Sequence, residues 1–340
     1  MRLVDLAEHR DDAALALFYH EVIVPAFPNP DELDDLEDWQ MGLSKQRRGG
    51  GNAGGDAVEN AAAGAADDPC SEGQHPLDPE LHVVIALEDD AGAKNNSVPL
   101  APLSATAQLG GAVYEWYPGP QGGTALLSYL VTSPHHRRRG VAATLVAHLT
   151  AVLSRQGVRV LIAETHKMLI DDGTSMDPKQ RHIAFHRLGF APVQLCYAQP
   201  PVRVENAHSD DLLLIAHCGL LMSTGVSQRV SPFAGGPGGG GGRGGSKDGD
   251  DNEATSSPPS PRKDATDPSI LDPSIPSEML QSYIDGFCGS VFGFDDSHLF
   301  ENTAWYLGMA KQLDATPRVR VLHALPPPWD DSAVCVRCEK

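Results

Sequence analysis

The stretch from Tyr129 to Leu149, Tyr-Leu-Val-Thr-Ser-Pro-His-His-Arg-Arg-Arg-Gly-Val-Ala-Ala-Thr-Leu-Val-Ala-His-Leu, constrains the fold more than any other in the chain. It reads as a buried strand, a basic turn and then a helix. The small residues Gly140, Ala142 and Ala143 fall where that helix begins, and Leu145, Leu149, Val152 and Leu153 recur at the spacing of one buried helix face. A helix N-terminus without bulk exposes free N–H groups and the positive end of the dipole, an anion site suited to a pyrophosphate. Arg137, Arg138 and Arg139 add charge that phosphate groups can use. A second apolar strand, Val158 to Ala163, follows the helix, so strand, turn, helix and strand form one continuous unit.

This unit resembles the coenzyme A-binding motif of the GCN5-related N-acetyltransferase (GNAT) superfamily. The signature, Gln or Arg-x-x-Gly-x-Gly or Ala, is met by Arg137, Gly140 and Ala142. Phe185-His-Arg-Leu-Gly-Phe190 resembles the family's second motif, usually Tyr-x-x-Leu-Gly-Phe. The rest of the chain gives a compatible order of elements. Arg2 to Ala7 reads as a strand, and a helix starts at Asp11 or Asp12 and runs to about Val24, ended by Pro25 and Pro28. Strands are expected at Leu81 to Leu87 and Gly110 to Tyr117, a helix from Asp177-Pro178 to Arg187, and strands at Val193 to Gln199 and Leu212 to Ala216. The fold class implied is α/β (α+β): a GNAT fold with a mixed central sheet whose parallel strands splay apart, plus a C-terminal helical extension and disordered insertions.

Composition divides the chain. Residues 44–80 are rich in Gly, Ala, Asp and Asn, and residues 231–276 contain the Gly235 to Gly245 run followed by Asp, Ser and Pro. Neither can bury enough apolar surface to offset its ordering entropy. The expected organisation is a GNAT core over 1–220 with a low-complexity insertion at 44–80, and a disordered linker over 231–276. A helical extension over 277–314 packs on the core or forms a separate module, and an extended tail covers 315–340. Leu280, Tyr283, Ile284 and Phe287 mark one helix of the extension, and His298 to Leu313 a second.

Charge and cysteine usage exclude several classes. With 45 acidic and 26 basic residues the net charge is −19, which argues against nucleic acid as a partner. Six acids fall within Asp31 to Asp38; such a run reads first as a solvated face, although an acidic surface also attracts cationic amines. No apolar run approaches membrane-spanning length, and the N-terminus reads as a strand rather than a signal, so a cytoplasmic protein is expected. The Asn95-Asn-Ser97 sequon then carries no weight. Six scattered cysteines suit a reducing compartment, and Cys335 with Cys338 reads as a frayed, thiol-bearing tail rather than a metal site.

The resemblance implies acetyl-CoA as acyl-donor cosubstrate, no metal, and an amine acceptor, either a small molecule or a protein. Transfer proceeds by direct attack in a ternary complex. Backbone N–H groups from Arg138 through Arg139, Gly140, Val141 and Ala142 to Ala143 would hold the pyrophosphate, with Thr144 adding a hydroxyl. Arg137 and Arg138 reach the phosphates or stay solvated. Leu130 and Val131 would pair with the pantetheine arm and supply an oxyanion donor, and Phe185 would pack on the cosubstrate. Glu115 and Glu164 are the candidate general bases, each alternatively a charge on an exposed strand face, and the loop residue His166 is a weaker one. Tyr114, Trp116, Tyr117 and Trp39 would line an acceptor pocket or belong to the core. Phe185 stands where the family usually has a tyrosine and cannot donate a proton. Tyr197 or Tyr129 takes that role, the thiolate leaves unassisted, or the domain is an acyl-CoA-binding regulatory or scaffold protein with little catalytic activity. The oligomeric state is not legible in the sequence.

Overall fold

The computed structural model describes residues 1–27, 29–30, 33–49, 78–89, 106–170, 176–203, 207–223, 273–330 and 334–335. Most of the 44–80 and 231–276 segments, the Asn95 sequon, Pro28 and Cys338 lie outside them. The described residues fall in one compact unit made of Met1–Ser227 and Asp272–Lys340.

Strand β1 (Arg2–Asp5) leads to helix α1 (Asp12–Phe18), whose first turn is capped by the Asp11 side chain accepting from the Ala14 N–H. A π-helical turn, Tyr19–Ile23, continues it. Helix α2 (Leu36–Gly49) runs into the segment that composition reads as structureless, because Trp39 and Leu43 anchor its start in the core at 2% and 1% exposure. Then come β2 (Glu80–Leu87), β3 (Gln108–Tyr117), β4 (Thr124–Thr132), α3 (Val141–Arg155), β5 (Val160–His166), α4 (Pro178–Arg187), β6 (Phe190–Pro192), β7 (Leu212–His217) and α5 (Cys218–Ser223). After the glycine-rich segment, β8 (Ser274–Pro276) precedes α6 (Ser277–Phe292), α7 (His298–Glu301), α8 (Ala304–Ala315) and β9 (Arg318–Arg320).

The main sheet has the order β1-β2-β3-β4-β5-β7-β6, antiparallel except for the parallel β4–β5 pair. That pair is brief: Thr124 to Leu127 lie beside Val160 to Ala163 and the ladder then stops, although β4 continues to Thr132 and β5 to His166. The two strands part there, forming the splay the resemblance implies. A bulge accompanies it, since Val113 faces Tyr129 while Tyr114 faces Leu127, which leaves Ser128 as the extra residue.

Strand alternation sorts side chains to two faces. On one, β5 residues Leu161 and Ala163 and β4 residue Leu127 pack with Leu145, Leu149 and Leu153 of α3. On the other, Val113, Tyr129 and Val131 pack with α1 and α2, while Tyr117, Leu126 and Ile162 pack with α6. Gly111 lets α1 approach closely: a Cβ there would stand 2.5 Å from the Phe18 ring and 2.7 Å from the Val84 carbonyl oxygen.

Three expectations need correction. The strand expected from Val193 to Gln199 is reduced to two isolated bridges, Val193 with Val321 and Gln199 with Ser209, and the strand that forms, β6, lies just before it. The backbone of the expected segment pairs with several different segments, Val193 N–H with the Leu214 carbonyl and Gln194 N–H with the Arg320 carbonyl, and in part with side chains, as where the Gln312 amide oxygen accepts from the Cys196 N–H at 2.9 Å. The stretch read as an extended tail is held down. Strand β9 pairs with β8, and Trp329 is fully buried, its backbone N–H donating to His182 Nδ1 at 3.1 Å. Cys335 is not a frayed thiol but is disulfide-bonded to Cys196, a residue too distant in sequence for spacing to suggest.

Candidate functional site

The anion-binding turn is formed as its sequence suggests. Gly140 is the N-cap of α3 with φ 81° and provides no side-chain cap, so the first-turn N–H groups stay open to a ligand. A Cβ on Gly140 would meet no heavy atom within 4 Å. Glycine is therefore needed for the left-handed backbone and for the space in front of the helix, not for packing. Gly140, Ala143 and Thr144 are exposed, Ala142 half-buried and Val141 buried as the helix anchor. That open cradle suits a diphosphate-bearing group. Arg138, with φ 63°, and Arg139 are exposed; the Arg139 guanidinium contacts His136 Nδ1 at 2.7 Å and lies 3.8 Å from Glu88. Arg137 is half-buried. The Thr144 hydroxyl donates to the Gly140 carbonyl at 3.1 Å, so it can face a ligand only as an acceptor. Leu130 and Val131 pair with Ala112 and Gly111 of β3, and their other edge lies beyond the end of the β5 ladder. Phe185 packs edge-on against Phe190, ring centroids 5.4 Å apart, on the α3 side.

The opposite face of the splay is acidic. Glu115 shares a strand face with Val113 and Tyr117, and Glu164 shares one with Val160 and Ile162, so both carboxylates point to the α1, α2 and α6 side. Each is part-buried. Tyr197 donates its hydroxyl to Glu164 Oε1, Tyr283 approaches the same oxygen at 3.5 Å, and Gln199 Nε2 donates to Oε2 at 2.6 Å. Tyr197 and Tyr283 are themselves 3.2 Å apart, hydroxyl to hydroxyl. Among the described residues Glu115 accepts only from Tyr117, on Oε2.

A third carboxylate completes the face. Asp34, just before α2, accepts on Oδ2 from Tyr129 at 3.2 Å and from Trp39 Nε1 at 3.3 Å. Burial pushes the Glu115 carboxyl up to about 7, with the charges of Asp34 and Glu164 adding and the Tyr117 hydroxyl opposing. Burial also raises Glu164 to about 7, against its three hydrogen-bond donors. Asp34 is raised by burial, opposed by Trp39 and Tyr129. Among the described residues no ion pair reaches Glu115 or Glu164, and Arg203, which pairs with Asp35 at 3.1 Å, acts on Asp34 from a distance. Burial, then the neighbouring Glu164, lifts the Tyr197 hydroxyl well above its usual range, so it stays protonated.

The structure thus brings Glu115, Glu164 and Tyr197 to one face and places the Gly140 turn on the other side of the same splay. Of the four aromatic candidates, Trp39 and Tyr117 belong to the acidic face. Tyr114 and Trp116 point the other way by strand alternation; Tyr114 stacks on His82 with centroids 4.6 Å apart, and Trp116 donates to the Gly122 carbonyl at 3.2 Å. His166 is engaged by Arg181 at 3.3 Å, and its carbonyl accepts from His182 at 2.8 Å. Asp34, Gln199 and Tyr283 had no role in the sequence reading; Asp34 was submerged in its acidic run, and the other two carry no local signal. Among the described residues no group of three or more metal-ligating side chains forms, and no helix is long and apolar enough to cross a membrane.

A sheet whose only parallel pair among the described residues splays beside a glycine-capped helix is the arrangement of a GNAT fold. Residues 74–190 match the family model described as acetyltransferase (GNAT) family, and the chain carries a GNAT acetyltransferase domain. No curated protein matches the chain. Solved structures similar to it include a GNAT-family acetyltransferase structure from Bacteroides thetaiotaomicron, at 18% identity and TM-score 0.39, covering 64% of this chain and 86% of that one. Another is a GNAT-family structure from Desulfovibrio desulfuricans, at 16% identity and TM-score 0.35, covering 63% and 96%. A third is the ribosomal-protein-alanine N-acetyltransferase from Brucella melitensis, at 18% identity and TM-score 0.35, covering 64% and 98%.

Proposed function

We propose that this protein transfers an acetyl group from acetyl-CoA to an amine by direct attack in a ternary complex. The observation that carries the reading is the placement of Glu115 and Glu164 on the face opposite the Gly140 turn, where β4 and β5 part. The first-turn N–H groups of α3 hold the pyrophosphate, the open edge at Leu130 and Val131 orients the pantetheine arm, and Phe185 packs beside it. Bound acetyl-CoA supplies the activated thioester carbonyl.

Glu115 takes one proton from the acceptor ammonium and passes it to water. The freed nitrogen lone pair forms the C–N bond, and the C–S bond breaks with its electron pair on sulfur. The second nitrogen proton ends on that sulfur. Glu115 suits the role because a carboxyl with pKa about 7 is a matched base near neutral pH, and its Oε1 has no donor among the described residues. Glu164, with both oxygens occupied, fixes Tyr197, whose one hydroxyl proton goes to that carboxylate, so Tyr197 assists the departing thiolate in place of Phe185 only by turning that proton away from Glu164.

Phe185 favours a second reading, an acyl-CoA-binding protein with little catalysis. Calorimetry with acetyl-CoA on the wild type, Gly140→Glu and Gly140→Ala, followed by thiol release against an amine panel, separates the two. The Ala variant controls for left-handed strain, about 1–2 kcal/mol. Cosubstrate binding lost in the Glu variant but kept in the Ala variant, with amine-dependent thiol release, supports transfer. Binding without release from any amine supports the second reading, and no wild-type binding sinks both.

A further inference from the structure

Acetyl transfer makes no use of the Cys196–Cys335 disulfide, yet that bond sits where chemistry can reach it. Both cysteines are half-buried, and both line a cavity of about 450 Å³ between the segment that follows β6 and helix α8. Leu212 of β7 and Trp305, Gly308, Met309 and Gln312 of α8 line the same space. A recess of that size admits a small molecule rather than a protein domain. Cys288 makes the contrast: it is a free thiol whose pKa burial pushes up, which leaves it inert to exchange. A disulfide open to small thiols is the labile kind.

What the bond holds is a segment with little else to fix it. Among the described residues, Leu195 to Ala198 join no strand. The Cys196 N–H donates to Gln312 Oε1 at 2.9 Å, its carbonyl accepts from Gln312 Nε2 at 3.4 Å, and the Ala198 N–H donates to Met309 Sδ at 3.5 Å. Side chains of α8 thus stand in for a ladder, and a thioether sulfur is a weak acceptor. The other end is firmer, since Val334, next to Cys335, is buried in the core. The loosely paired segment carries Tyr197 and leads into Gln199, the donors to the two oxygens of Glu164. The state of the disulfide therefore reaches Glu164 through adjoining residues.

We propose that Cys196–Cys335 is a thiol-exchange site: a low-molecular-weight thiol enters the cavity, cleaves the bond and loosens the donors of Glu164. The incoming thiol loses its proton to water and attacks one of the two sulfurs. The S–S bond breaks with its electron pair on the other cysteine, which takes a proton from water. A second thiol attacks the mixed disulfide in the same way, leaving both cysteines reduced and the two small thiols joined as their own disulfide. The oxidised small thiol restores the bond by the reverse steps. Exchange is chemically independent of acetyl transfer, so its test reads structure and not turnover.

The folded protein is placed in buffers of reduced and oxidised glutathione, its thiols are trapped by alkylation and mapped by peptide mass, and hydrogen exchange is followed in parallel. The Cys196 and Cys335 peptides should gain label together as the buffer becomes more reducing, while thermal unfolding shows the protein still native. Amide exchange over 193–199 should then rise about tenfold and that of α3 stay unchanged. Gly308 supplies the second arm, because it borders the cavity and a Cβ there would meet nothing within 4 Å. Gly308→Leu should slow reduction about fivefold or more by filling the approach, whereas Gly308→Ala, which lacks the bulk, should reduce at the wild-type rate. Reduction that occurs only after unfolding, exchange over 193–199 that reduction does not move, or equal reduction rates in wild type and Gly308→Leu would each overturn the proposal, and all three leave acetyl transfer standing.

Discussion

Glu115 and Glu164 are alike in depth and in the direction burial drives them, yet the protein treats them differently. Glu164 sits in a nest of donors: Tyr197 and Tyr283 on one oxygen, Gln199 on the other. Glu115 has Tyr117 and two neighbouring negative charges. A carboxylate with a donor on each oxygen is a fixed strut, whereas one with an oxygen lacking a donor remains available to a proton or a cation. Equal burial therefore does not mean equal function; what distinguishes the two is the donors supplied by other segments of the chain.

The largest test of this contrast is turnover. Glu115→Gln should lower kcat/KM by about 10²–10⁴-fold, the range typical of losing a general base, while Glu164→Gln should cost roughly tenfold through a displaced Tyr197. Equal losses would erase the distinction. The wild-type rate should rise as pH increases through about 7, and a profile flat across that region would remove Glu115 as the titrating base.

Next in size is the covalent tie behind Glu164. Cys196 adjoins Tyr197 and is bonded to Cys335, so Cys335→Ser should loosen the donors of Glu164 and not those of Glu115. A loss of about 2–4 kcal/mol in chemical denaturation is expected, with the Glu115-dependent pH midpoint unmoved. A shift of that midpoint would show the two carboxylates to be one coupled unit.

Stability gives a smaller and opposite-signed test. The folded-state pKa of Glu115 is raised above its unfolded value, so its contribution is most favourable below about 4.5 and is lost as pH rises through about 7. Glu115→Gln should therefore stabilise the protein at pH 8 relative to pH 5, by about 1–3 kcal/mol after allowance for partial exposure. Glu164→Gln should not, because its new NH₂ would meet the donors already occupying both oxygens.

The smallest effect concerns His182, away from both carboxylates. Its pKa is lowered by burial, and it spans the His166 carbonyl and the Trp329 N–H. A histidine held neutral loses stability as pH falls below about 6.5, the ordinary histidine value. His182→Gln should flatten this acid limb in thermal unfolding. An unchanged acid limb would place the loss elsewhere.

How much of this the sequence displayed follows from how far apart the participants lie. The α3 turn is contiguous, so its glycine, small residues and amphipathic helix announce themselves in about twenty residues, and the splay follows from the strands on either side. The acidic face is assembled from positions 34, 115, 164, 197 and 283, and no local pattern joins them. Asp34 is not separable from its exposed neighbours by composition, since the hydroxyl that bonds it belongs to Tyr129, ninety-five positions away. Tyr114, Trp116 and Tyr117 were grouped by adjacency, but alternation in a strand sends Tyr117 to one face and the other two to the opposite one. The Cys196–Cys335 bond escaped for the same reason as Asp34: the partners meet only in the folded chain.

That disulfide also changes the topology of the polypeptide. Its two sulfurs are 139 positions apart, so the bond closes a covalent ring around β7, the glycine-rich stretch and the C-terminal helices. A backbone cut anywhere inside that ring opens the circle without releasing a fragment. The nicked protein keeps its mass until a reductant is added, and the Tyr283 that bonds Tyr197 stays tethered to the strand pair it serves.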